Sequence, residues 1–170
     1  MVMKMLLGCS VSLLLLLVCL TEPVESRTLH LDSCSVNVHM HELRKYYSDI
    51  RSNAVMFGRC CILTFVYLFQ EGQRCCFLRL LLRFYVERVF SNYASSQPQQ
   101  QRCSSALANA FVSIRRDIHK CHCLCEEDTQ RKIDSVHAEF DKLQVGQAAQ
   151  KAVGELDTVL EWLEGQRTQT

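Results

Sequence analysis

The chain has 170 residues, 48% of them hydrophobic, and its 19 basic side chains are nearly balanced by 18 acidic ones. A net charge of +1 provides no broad positive field, which excludes a general nucleic-acid binder. Eleven cysteines make the redox compartment the next question.

Residues 1–26 answer it. Lys4 supplies a positive start, Leu6 to Leu20 form an apolar block, and Val24 and Ser26 are small enough for positions −3 and −1 of a cleavage site after Ser26. A spanning helix needs roughly 20 apolar residues, and this block stops short at Thr21-Glu22-Pro23. The segment reads as a secretory signal peptide, with no membrane insertion of the mature chain. Residues 27–170 then have the size of one compact domain. Cleavage removes Cys9 and Cys19, leaving nine cysteines in an oxidising compartment where disulfides persist. No Asn-x-Ser/Thr acceptor for N-glycosylation occurs.

Residues 35–53 carry Val36, Met40, Leu43, Tyr47 and Ile50 at helical spacing, with Asp32 or Ser33 available as a cap. Residues 56–70, MFGRCCILTFVYLFQ, follow as an unbroken apolar run too short to span a bilayer. Residues 75–93 are apolar around most of a helix apart from Arg79, Arg83 and Arg88, as suits a central position in a bundle. A polar loop, SSQPQQQ at 95–101, separates them from residues 104–121, where Leu107, Phe111, Ile114, Ile118 and Cys121 form a stripe. Residues 128–143 repeat the pattern with Ile133, Val136, Phe140 and Leu143. Residues 147–165 use Val153, Leu156, Leu160 and Leu163, and Gly154 marks a close approach to a neighbour. No sustained strand alternation is evident. Five helices with short connections predict an all-α, compact helical bundle.

The densest chemistry is KCHCLCEED, residues 120–128, with Cys121, Cys123, Cys125 and His122. Closed zinc sites pair wider Cys-x₂₋₄-Cys knuckles, and His122 points away from its flanking cysteines in an extended segment. Cys-x-x-Cys, the redox spacing, is absent. Disulfides remain. Cys75 and Cys76 are neighbours and cannot pair with each other without strain, and cysteines in Cys-x-Cys are also poorly placed to do so. The vicinal pair can bridge two of Cys121, Cys123 and Cys125, with Cys34 taking the third, and several connectivities satisfy that rule. Each bridge contributes about 2–4 kcal/mol. Cys60, Cys61 and Cys103 are left over.

Enzyme motifs are missing: Gly-x-Ser-x-Gly, His-Glu-x-x-His and Gly-x-Gly-x-x-Gly do not occur. The reading is therefore not an enzyme, with no cofactor and no metal. A heparin-binding helix using Arg74, Arg79, Arg83 and Arg88 is disfavoured, because those positions drift around the helix.

DSCSVNVHMHELRKYYSDIRS, CCFLRLLLRFYVERVFSNY, SSALANAFVSIRRDIHKCHC and KAVGELDTVLEW together resemble the interleukin-10 family of helical cytokines, and within it the interleukin-19/20/24 subgroup. The likeness covers residues 28–55 and 71–165. It implies a disulfide-stapled helical bundle of the class II cytokine type, monomeric and extracellular. It implies binding to two different class II cytokine receptor chains, of the interleukin-20 receptor alpha/beta type, and JAK–STAT signalling in the target cell. It also implies the pairings Cys34–Cys121, Cys75–Cys123 and Cys76–Cys125. Receptor contacts in the family come from the first helix, the following loop, the long apolar helix or its successor, and the last helix. The residues carried over are His39, Glu42, Lys45 and Asp49, with Lys151, Glu155 and Trp162 near the end of the chain. Two departures stand out. The stretch from Cys121 to Cys123 is shorter than in the mammalian relatives. Residues 56–70 replace a polar loop, and admit three readings: a short buried element, an exposed apolar patch, or a translated pyrimidine tract and splice acceptor.

Overall fold

A computed structural model describes residues 26–32, 34–51 and 72–165. Residues 1–25 of the expected signal peptide (1–26), the cap candidate Ser33, and the segment 56–70 with Cys60 and Cys61 lie outside the described residues.

The chain enters through a hairpin, β1 (Arg27–Leu31) and β2 (Cys34–Val38), paired antiparallel with Leu29 opposite Val36 and Leu31 opposite Cys34. Helices follow: α1 (Met40–Arg51), α2 (Arg74–Phe84), α3 (Pro98–His119), α4 (Glu127–Asp141), α5 (Val145–Gly154) and α6 (Leu156–Glu164). A π-helical turn, Tyr85–Phe90, extends α2.

The hairpin corrects the expectation of a helix from residue 35. Val36, Val38 and Met40 are apolar at steps of two, and Val36, Met40 and Leu43 are apolar at steps of four and three, so the segment fits both periods. The strand period wins as far as Val38, because Leu29, Leu31, Val36 and Val38 then all face the core, each at most 5% exposed. Asp32 does not cap α1. It occupies the hairpin turn at φ +45°, and its Oδ2 accepts the Cys75 backbone N–H at 3.3 Å, serving the start of α2 instead.

Three further boundaries differ. The polar loop ends early: Pro98 opens α3 from its first turn, where a missing N–H costs nothing. Ser95 supports that start, accepting the Gln97 N–H at 3.1 Å and donating to the buried Gln100 side chain at 2.5 Å. The expected last helix is two, α5 and α6, broken at Glu155. The Tyr47 hydroxyl donates to the Gly154 carbonyl at 3.4 Å, next to the break. In the π turn, Tyr85, Val89 and Phe90 are all buried. The wider turn rotates successive side chains relative to α-helical spacing, and the Tyr85 hydroxyl donates to the Ala152 carbonyl at 3.0 Å where it begins.

The buried residues form one continuous cluster. At its centre α2, α3 and α4 exchange aromatic contacts: Tyr85 meets Phe111 with ring centroids 5.8 Å apart, and Phe84 meets Phe140 edge-on at 5.3 Å. α2 packs on α3 and α4, while α1 packs on α3 and α6. The apolar circumference of α2 follows from that central position: Phe77, Leu78, Leu81 and Leu82 are all fully buried. Among the described residues, no helix is long and apolar enough to cross a membrane.

Candidate functional site

At one end of the bundle the cysteines meet. Cys34 at the start of β2 is joined to Cys121, Cys75 to Cys123 and Cys76 to Cys125, with Cα separations of 5.6, 5.6 and 5.3 Å. The segment 122–126 has no regular hydrogen-bonded structure. The thiols turn to the bundle, while His122 and Leu124 point to solvent. His122 adopts φ +51°, reversing the chain just past α3. Because Cys121, Cys123 and Cys125 are all spent in disulfides, none is available as a metal ligand.

Two polar contacts seat this end. Buried Gln73, just before α2, accepts through Oε1 from the Glu126 N–H at 3.0 Å and from the Thr129 hydroxyl at 3.1 Å, linking the starts of α2 and α4. Arg74 donates to the Trp162 carbonyl at 2.9 Å, near the end of α6. Burial pulls the Arg74 guanidinium below its usual range, partly offset by Asp32.

A second constellation lies where α1 meets α6. The Arg44 guanidinium grips the Glu164 carboxylate with two parallel bonds of 2.6 and 2.8 Å. Arg51, two turns on, pairs with Asp157 at 3.0 Å. Arg44 is raised above its ordinary value, first by the Glu164 hydrogen bond. Between them Tyr47 is buried, and desolvation, reinforced by Asp157, pushes its hydroxyl up to about 12.

The family-implied contact residues distribute unevenly around this face. Glu42, Lys45 and Asp49 lie at steps of three and four on the outward side of α1, with His39 exposed just ahead of it. Asp49 is also tied inward, accepting from the Cys103 thiol of α3 at 3.3 Å. Lys151, on α5, is half-buried. Glu155 and Trp162 are both buried, at 8% exposure, and present little surface. Glu155 falls in the turn between α5 and α6, and Trp162 stacks edge-on against Phe77 with centroids 5.6 Å apart. Sequence reasoning passed over Arg44, Arg51, Asp157 and Glu164. The signal available was opposite charge on two helices, which has no meaning until the helices are known to be neighbours.

Comparisons with known proteins agree with this architecture. The family model described as Interleukin 10 matches residues 8–169. Mouse interleukin-20 is 33% identical over 148 residues, covering 81% of this chain and 84% of the relative. Human interleukin-19 is 29% identical over 141 residues, covering 76% and 79%. The crystal structure of human interleukin-19 superposes with a TM-score of 0.67 at 29% identity, covering 73% of this chain and 86% of that one. These relatives are interleukins, which act as cytokines and not as enzymes. A disulfide-stapled helical bundle that shares both sequence and shape with them over most of its length belongs to the interleukin-10 family.

Proposed function

We propose that this chain is a secreted, monomeric helical cytokine that binds two class II cytokine receptor chains of the interleukin-20 receptor alpha/beta type. Binding triggers JAK–STAT signalling in immune or epithelial responses. The supporting observation is the clasped pair α1 and α6. The double bond between Arg44 and Glu164 and the pairing of Arg51 with Asp157 hold one helix in register with the other. Exposed Glu42 and Lys45 stand on the outer side of α1 as the adjacent polar contacts. A pre-organised face loses little freedom on binding, and that raises affinity.

The test applies folded, oxidised chain to cells carrying the receptor pair and to matched cells lacking one receptor, and measures STAT phosphorylation. The expected result is a dose-dependent response only in cells with both receptors. It weakens by about tenfold for Lys45→Glu, which reverses a charge at the expected contact. Receptor binding without phosphorylation would instead identify a disulfide-stabilised binding protein that does not signal.

A further inference from the structure

We propose that the groove between α2 and α3 binds a sulfated, linear polysaccharide, a site separate from the α1–α6 face. The groove, of about 680 Å³, is lined only by residues of those two helices. Arg79 and Arg83 come from α2, and Arg115, Arg116 and His119 from α3. Its acidic lining residue, Glu87, is shared: Arg83 bonds it at 2.9 Å and Arg115 at 3.2 Å. Those guanidinium groups hold the Glu87 carboxyl below the usual carboxylate range, with the Arg83 hydrogen bond the largest contribution. One carboxylate thus fixes two arginines across the groove while neutralising only one positive charge.

The arrangement corrects the single-helix reading of the arginines. Arg74 is turned to the Trp162 carbonyl and Arg88 to Asp141, so neither shares in this lining. Arg79 and Arg83 share the groove with cationic side chains of a helix some thirty residues later in the chain, and Arg79 also donates to Cys125 Sγ at 3.1 Å. With a net charge of only +1 on the whole chain, attraction for an anion is local to this groove.

The occupant follows from what the groove provides. Arg79 to Arg83 spans about 6 Å of helix and Val112 to His119 about 10 Å, longer than a lone sulfate and suited to successive anionic groups. Its walls are α2 with its π turn and the last turns of α3, whose closing carbonyls at Asp117, Ile118 and His119 already accept N–H groups, and its apolar lining is Leu80 and Val112. A bound peptide strand would find no backbone ladder and no deep side-chain pocket. Guanidinium forks match sulfate and carboxylate oxygens directly, so an anion-dense sugar chain is the better fit. That the polymer is an extracellular polysaccharide rests on the secreted reading above.

The test uses immobilised heparin as the probe and reads binding only, so it stands apart from receptor signalling. The expected result is retention of the oxidised chain, weakened by salt. Arg116→Gln with Arg79→Gln should lower affinity by about tenfold or more. Arg131→Gln with Lys142→Gln, the same charge change outside the groove, should leave it nearly unchanged. Glu87→Gln is expected to strengthen binding, a gain that misfolding does not produce. Equal losses from the groove and control pairs, no retention at all, or equal binding to polyglutamate would overturn the proposal.

Discussion

The two ends of α1 are held by different physics. Just before it, Cys34 of β2 is bonded covalently to Cys121, beside the Cys75–Cys123 and Cys76–Cys125 bridges. Along its length, α1 is clasped to α6 by ion pairs whose members are a quarter to a half exposed. The bridges act largely on the unfolded chain, closing loops with sequence separations of 48, 49 and 87, and are indifferent to salt and pH. The ion pairs act only in the folded state and are screened by salt. A chain built this way joins a covalent frame that salt does not weaken to a helix pair, α1 and α6, that ionic strength loosens.

The largest effect separating the two ends is loss of a bridge. Replacing Cys75 and Cys123 together by Ser should lower the unfolding free energy by about 2–4 kcal/mol, read from urea denaturation. The deficit should be the same in low salt and in 1 M NaCl. Arg44→Ala should cost about 1 kcal/mol, since it removes a two-bonded but partly exposed pair. That cost should shrink in 1 M NaCl, and a salt-independent loss would mean that Arg44 acts by packing and not by charge.

The effect confined to the narrowest conditions, high pH alone, concerns Tyr47. Its hydroxyl is raised from 10.0 to about 12 in the folded chain, so unfolded Tyr47 ionises first. Its contribution is fully present below pH 10 and is lost as pH rises toward 12. Tyr47→Phe should flatten the alkaline decline in stability within that window, followed by thermal unfolding from pH 9 upward. An identical decline in both proteins would place its cause elsewhere.

Helical stripes were legible where one period alone fitted the residues, except at Leu143, expected on the 128–143 stripe but 38% exposed past the end of α4. Leu43, Tyr47 and Ile50, then Leu107, Phe111, Ile114 and Ile118, then Ile133, Val136 and Phe140, are all buried. Where two periods fitted, at Val36 to Met40, burial of the whole hairpin face decided, and that is a tertiary property. The cysteine set could be read from spacing and compartment, whereas residue geometry left several connectivities open. The burial of Glu155 and Trp162, both carried over from the family resemblance, was not legible until the helix break and Phe77 were known. The groove was invisible for a related reason: half of its charge comes from α2 and half from α3.

The most direct test of this covalent frame is a disulfide map of the folded, oxidised chain, by non-reducing digestion and mass spectrometry. The expected result is Cys34–Cys121, Cys75–Cys123 and Cys76–Cys125, with Cys103 a free thiol. Pairings that draw Cys60 or Cys61 into bonds with any of those six would contradict it, and with it the claim that this chain folds as its interleukin relatives do.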